Sequence, residues 1–459
     1  MRVPRLIQSL CIAMGCGLSW PSIAAEPPLE AGLESGMESG AEAEAAVAAL
    51  PEPLSLDYAL SLANEAHPDL QAAAAETDIA QAQRDRARAA YGINASVNAA
   101  AIWIEPADYA FDQSRNDSQA SLVLSKRLYD FGRTRANVAA ADAALSGSQL
   151  RYTDTQSQRR LAILERYLDV LLADLRFRVE DEAMAIAYVR VDRTRDQHEL
   201  GQISEIVLLA AETLYQETRS ARYAAQAQQR ISRVALAETL NRPGQLSSTL
   251  EEPTLDAITA EPPALKSLVA EVLQVNPRLR ALRAETEAAR ERMQAARAVD
   301  RPVITGHAEA SEYQRQTGDA DPWSVGVQLE VPLYSGGRGS AERAQARAEF
   351  TRSEAELARA ELELRQGAQS LWESIEVLRA SREEAQTRID YRELYLDRSR
   401  TLYEMEVNSD LGDAMVVSSQ ARLRQAELEY QLLLDWARLN ALRGRPLFTA
   451  ASAKEDDAP

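Results

Sequence analysis

The sequence predicts an internally duplicated, mostly α-helical protein that carries two pairs of β-strands. Three observations predict it. Sequence landmarks recur in order at a nearly constant offset, two long stretches contain no proline, and four short segments alternate apolar with polar residues. His67-Pro68-Asp69-Leu70 is answered by Asn276-Pro277-Arg278-Leu279, an offset of 209 residues. Leu128-Tyr129-Asp130-Phe131-Gly132-Arg133 is answered by Leu333-Tyr334-Ser335-Gly336-Gly337-Arg338, an offset of 205. A chain that repeats one layout predicts a pseudo-symmetric architecture.

The N-terminus is read separately from the fold. Arg2 and Arg5 form a basic region, Leu6 to Leu18 is mostly apolar, and Ser22-Ile23-Ala24 supplies small residues at a cleavage site. Residues 1–24 therefore read as an export signal, the apolar run being shorter than the roughly 20 residues of a spanning helix. Ala13-Met14-Gly15-Cys16 offers an alternative, since it resembles a lipoprotein processing box that would lipidate Cys16. Both cysteines, Cys11 and Cys16, lie in this segment, so the mature chain is expected to have neither disulfide nor cysteine metal site. Residues 25–53 read as a flexible acidic leader and 450–459 as a similar tail. The formal net charge is −19, and removal of the two arginines of the signal leaves −21. That balance argues against nucleic acid, which calls for a basic footprint.

The elements follow the same order in each half. Leu56 to Ala90 is helical in composition. Alternation then predicts strands over about 93–104 and 119–129, joined by the polar loop Glu105 to Ser118. In the second half strands are expected over about 303–313 and 323–333, where Trp323, Val325, Val327, Leu329, Val331 and Leu333 share one face. Strands of about 10 residues with one apolar face suit a membrane β-barrel. Two hairpins cannot close one, so a bilayer setting demands several copies; the other reading is an exposed hairpin on a soluble protein.

Helices are expected over about 133–200, 203–241, 338–404 and 410–442, with turns at Leu200-Gly201-Gln202-Ile203-Ser204 and Val407-Asn408-Ser409-Asp410. The first is rich in Ala, Leu, Arg, Glu and Gln and carries two apolar seams. Leu161, Leu164, Leu168, Leu171, Leu175 and Val179 form one, and Ile163, Tyr167, Val170 and Phe177 the other. Two seams suit a helix with neighbours on both flanks, as in a cylinder of helices or a soluble bundle. The repeats are bounded at 54–249 and 250–449.

No catalytic constellation emerges. His67, His198 and His307 lie in separate segments, His198-Glu199 lacks the second histidine of a zinc helix, and Ser335-Gly336-Gly337-Arg338-Gly339-Ser340 lacks the ending of a phosphate loop. No enzyme activity, metal or cofactor is expected.

Taken together, the Asn-Pro-x-Leu helix starts, the junctions Tyr129–Arg133 and Tyr334–Arg338, and their duplication behind an export signal resemble the TolC-like outer-membrane efflux family over roughly Leu54 to Pro446. The resemblance implies long α-helical hairpins forming a trimeric α-barrel, plus four strands per chain in a 12-stranded transmembrane β-barrel. It implies a homotrimer in outer-membrane lipid with a tunnel extending into the periplasm. The partners it implies are a periplasmic adaptor (membrane fusion) protein and an inner-membrane ABC or RND transporter, serving a tripartite efflux pump or a type I secretion system. The two Leu-Tyr junctions resemble the secretion branch.

Site residues follow from the same resemblance. Asp410-Leu411-Gly412-Asp413-Ala414 resembles the Asp-x-x-Asp-Ala segment that lines the periplasmic aperture in TolC. Three copies would then ring the aperture with six carboxylates, favouring cations and raising one another's pKa values. The alternative role for these aspartates is to cap a helix. Glu406 stands where the TolC pattern has a locking arginine, so the family's closed-state contacts do not carry over. Gly132, Gly336 and Gly337 would let the chain bend from strand to helix, and Gly201, Ser204, Asn408 and Ser409 would form the adaptor-docking turns. The competing function is a periplasmic coiled-coil adaptor or scaffold, which would lack amphipathic strand pairs at equivalent points of a duplication.

Overall fold

The computed structural model describes residues 50–245, 247–315, 321–405 and 410–447. The segments read as export signal and tail, most of the leader, and Glu406, Asn408 and Ser409 lie outside the described residues. The described fold belongs to one unit, Pro51–Pro459.

Its elements run α1 (Leu56–Ser61), α2 (Pro68–Ala89), β1 (Asn94–Ala100), β2 (Gln119–Tyr129), α3 (Arg133–Glu199), α4 (Glu205–Thr239), α5 (Leu265–Val275), α6 (Pro277–Arg297), β3 (Val303–Tyr313), β4 (Trp323–Glu330), α7 (Arg338–Glu404) and α8 (Leu411–Leu442). Single-turn 3-10 helices occupy Leu62–Asn64 and Asp256–Thr259.

The stretch from Leu56 to Ala90, helical in composition, is divided by Pro68. Proline disfavours the helical region for the residue before it, and His67 is extended at φ −134° and ψ 144°. The same proline then suits the first turn of α2, whose Asp69 N–H donates to His67 Nδ1 at 3.2 Å. Asn276 caps α6 by the equivalent device, accepting from Leu279 N–H at 3.0 Å. Strand β1 ends at Ala100, short of the expected 104; Trp103 forms only an isolated bridge with Asn116. Strand β4 ends at Glu330, just before Pro332, which has no N–H to offer a ladder. The stretch read as leader is anchored at its end, because Glu52 accepts from Ser248 N–H at 3.1 Å.

The four strands form one antiparallel sheet in the order β1-β2-β3-β4. Opposed residues separate largely by chemistry, with Lys126 and Glu312 on the apolar face and Val123 on the polar face as exceptions. Ser125, His307 and Gly326 stand in one row and Arg127, Thr305 and Gln328 in the next. On the other face stand Leu122, Ala310 and Trp323, then Leu124, Ala308 and Val325. The apolar face is uncovered in the single chain: Val97, Trp323, Val325, Val327 and Leu329 are all exposed. Gly326 is required by the polar face, because a Cβ there would lie 2.7 Å from His307 Cε1.

Helices α3 and α7 are each 67 residues long, about 100 Å at 1.5 Å per residue. Helix α3 packs against α2, α4, α6 and α8, and α7 against α5, α6 and α8. Both seams of α3 are used. Ile163, Leu164, Tyr167, Leu168, Val170 and Leu171 are buried, whereas Leu161, Leu175 and Phe177 are only half-buried. At mid-length Tyr167 is buried, and its hydroxyl donates to Leu54 O at 2.8 Å and Glu251 O at 2.6 Å. That holds the two segments paired as the Leu54–Leu250 bridge against α3. Burial pushes the Tyr167 hydroxyl pKa far upward, so it remains a donor. Among the described residues no helix is long and apolar enough to cross a membrane.

Candidate aperture and strand-to-helix junctions

The two strand-to-helix junctions are built alike. Gly132 is the N-cap of α3 with φ 88°, and Phe131 before it has φ 55°. Gly336 and Gly337 take φ 62° and 85° before α7. Two successive residues of positive φ therefore occupy each junction, a conformation open to glycine at little cost. The first-turn amide is satisfied in the same way. Thr134 N–H donates to Asp130 Oδ2 at 2.8 Å, and 205 residues on, Gly339 N–H donates to Ser335 Oγ at 3.4 Å.

At the opposite end of the long helices, Leu200 to Ser204 turn the chain from α3 to α4, with Gly201 at φ 71° and Ser204 at the N-cap of α4. Leu200 and Ile206 are 71% and 78% exposed, so the tip of this hairpin presents two large apolar side chains among its polar ones. The second turn, with Glu406, Asn408 and Ser409, lies outside the described residues, but both of its flanks are described.

Asp410 is the N-cap residue of α8, yet its side chain does not cap that helix. Its carboxylate instead reaches back to α7, accepting from the Tyr395 hydroxyl and from Ser399 Oγ, the latter at 3.0 Å. These two bonds, Tyr395 foremost, hold the Asp410 pKa below the ordinary carboxylate value. Within one chain the direction is thus opposite to the upward shift expected of a carboxylate ring. The same bond raises the Tyr395 pKa.

Asp413, one turn further along α8, accepts from Arg190 Nη2 on α3. Between them the helices approach so closely that a Cβ on Gly412 would lie 2.8 Å from Ile186 Cγ2. This contact begins a polar seam along the antiparallel α3–α8 pair. Ser419 Oγ donates to Glu182, Arg176 pairs with Glu427 at 2.7 Å, and Arg438 pairs with Glu165 at 3.4 Å. The structure therefore joins Asp410 to α7 and Asp413 to α3, fixing the first turn of α8 between them.

Arg190, Tyr395, Ser399 and Ile186 are partners that sequence reasoning missed. Gly412 carried a usable signal, since a glycine in the first turn of a helix marks close approach. The three histidines remain apart, His67 at the cap of α2, His198 in the last turn of α3 and His307 on β3. Among the described residues no cluster of three or more His, Cys, Asp or Glu is arranged to hold a metal.

Comparison with known proteins bears on the family and the fold. The sequence profile of the family described as "Outer membrane efflux protein" matches residues 59–242 and again 268–445, one match to each half. The outer membrane efflux protein BepC of Brucella suis biovar 1 (strain 1330) is 24% identical over 341 residues, spanning 71% of this chain and 74% of BepC. The fold is similar to that of the outer membrane protein VceC from Vibrio cholerae, with a TM-score of 0.70 at 17% identity over 86% of this chain and 97% of VceC. It is similar also to a membrane protein from Pseudomonas aeruginosa, with a TM-score of 0.70 at 18% identity over 85% of this chain and 90% of that one. The duplicated profile match, over the same two halves that carry the hairpins and strand pairs, shows that the chain is an outer-membrane protein belonging to the outer membrane efflux protein family.

Proposed function

We propose that three copies assemble into a passive exit duct for a tripartite efflux pump or a type I secretion system. The observation that carries the reading is the four-stranded sheet, which has two open edges at β1 and β4 and one uncovered apolar face. Unpaired strand edges do not persist in a bilayer, so copies must join edge to edge until the sheet closes. Twelve strands from three chains give such a closed barrel, with Ser125, His307 and Gln328 on its water-filled side. Gly132, Gly336 and Gly337 turn each strand pair into the long helices of the periplasmic tunnel.

The far end of the tunnel is the aperture. Asp410 and Asp413 supply its carboxylates, with Glu406 adding negative charge. The tie from Asp413 to Arg190 holds α8 against α3 in the closed state. Docking of an adaptor at Gly201, Ser204, Asn408 and Ser409, with the exposed Leu200 and Ile206 as its apolar contact, would loosen that tie as an inner-membrane transporter engages. The Leu-Tyr junctions favour type I secretion. The family match over both halves supports a duct over a coiled-coil adaptor.

The test is single-channel conductance of purified protein in a planar bilayer, wild type beside Asp410→Ala/Asp413→Ala. A small cation-selective conductance that rises in the variant is expected. A conductance untouched by the double substitution would move the gate elsewhere. No channel from folded, trimeric protein would overturn the duct.

A further inference from the structure

The end of the sheet from which the long helices leave differs in charge from the rest of the chain. Residues 126–135, 297–301 and 330–343 carry eight Lys or Arg against four Asp or Glu, in a protein whose net charge is −19. Three of the four acids are already paired. Asp130 lies 3.6 Å from Arg127, Glu342 lies 3.8 Å from Arg338, and Asp300 pairs with Arg343. The fourth, Glu330, continues the polar face of β4 opposite Val303. Lys126, Arg133, Arg135, Arg297 and Arg301 are left over, and none has an ion-pair partner among the described residues.

Sheet register brings three of these cations to one place. Tyr129, at the end of β2, stands opposite Ile304 at the start of β3. Arg133 follows the first by four residues and Arg301 precedes the second by three. Both strands are inner ones, so the cluster lies within a single chain, clear of the open edges β1 and β4. Lys126 is exposed on the apolar face, in the row of Gly306 and Val327. The last apolar row, Tyr129, Ile304 and Leu329, lies two residues along β3, about 7 Å away. A lysine facing lipid is costly at the bilayer midplane and nearly free at the interface, so its stem carries the ammonium past Tyr129 to the headgroups. Leu128, Tyr129, Phe131, Leu333 and Tyr334 are exposed at this same end and continue the apolar face to that level.

We propose that this rim binds an anionic phospholipid of the periplasm-facing leaflet, its headgroup phosphate held by Lys126, Arg133 and Arg301. The site rests on the bilayer setting of the sheet and adds a lipid preference to it. The leaflet follows from the helices, which leave the sheet at this end for the periplasmic tunnel. The net charge of the chain opposes an anionic surface, so selection for one comes from these local cations, with Arg135 and Arg297 enlarging their field. A zwitterionic lipid offers the same phosphate together with an ammonium group, which the cluster repels. Each basic group close to anionic lipid contributes about 1 kcal/mol, roughly a fivefold change in affinity.

Native mass spectrometry of the detergent-purified protein tests this, because it weighs the assembly and its bound lipid together. With phosphatidylglycerol, phosphatidylethanolamine and phosphatidylcholine of the same acyl chains added in equal amounts, phosphatidylglycerol should be retained preferentially. Lys126→Gln, Arg133→Gln and Arg301→Gln should each lower that retention about fivefold, and the triple variant should hold the three lipids alike. Lys266→Gln, at an exposed position on α5 outside the rim, should leave it unchanged. Equal retention of the three lipids by wild type, or a preference that survives the triple substitution, would overturn the site. Reconstitution with phosphatidylethanolamine and phosphatidylglycerol vesicles followed by flotation separates that failure from a wider one. Protein that floats with the vesicles yet shows no lipid preference keeps the bilayer reading and loses the site. Protein that does not join the vesicles loses both.

Discussion

Replacing Arg190 by alanine is expected to raise the open probability of the duct about tenfold. The side chains of Arg190 and Asp413 are 42% and 58% exposed, so their ion pair is discounted to the surface range of ~0.2–1 kcal/mol. At about 0.5 kcal/mol each, three pairs opening together amount to about 1.5 kcal/mol, roughly a tenfold change in an equilibrium constant. The assay is single-channel recording of wild type, Arg190→Ala, Asp413→Asn and the double variant, analysed as a double-mutant cycle. Open probability should rise alike in all three variants, because each removes the same contact. Selectivity separates the two charges: Arg190→Ala should become more cation-selective and Asp413→Asn less. The reasoning fails if Arg190→Ala leaves open probability unchanged. It fails also if the double variant shows the product of the two single effects, since independent residues would then be acting.

Two further outcomes follow from the same geometry. Because the folded pKa of Asp410 lies below its ordinary 3.8, the carboxylate is fully charged above that value and loses its contacts only as pH falls through the lowered one. Tyr395→Phe removes the principal cause, so cation selectivity read from reversal potentials should be lost at a higher pH than in wild type. An identical profile would show that Asp410 does not set selectivity. Gly132→Ala meets no side-chain or backbone atom within 4 Å, so its cost is the left-handed backbone alone, ~1–2 kcal/mol. A lower melting temperature by circular dichroism is expected, and an unchanged one would mean the junction relaxes away from φ 88°.

Much of the architecture was legible because it is written in periodicity. The alternation from Trp323 to Leu333 announces a strand whatever surrounds it, and the proline-free runs announce helices too long for a globular core. The division at Pro68 was present in the same residues and was obscured by helical composition on both sides. Phe131 was not legible: it takes φ 55° at the position where the second junction has Gly336, and nothing in an aromatic side chain signals it.

The amino-acid order by itself determined the duplication, the four strands, the long hairpins and the family, because each depends on short-range spacing that no distant contact can erase. Only the tertiary structure decided what holds the aperture segment. Arg190 meets Asp413 across 223 residues of chain, and Tyr395 turns Asp410 from a helix cap into a brace between helices. The same holds for the unequal burial of α2 and α6, since two helices of matching pattern differ there only in which neighbour the fold brings beside them.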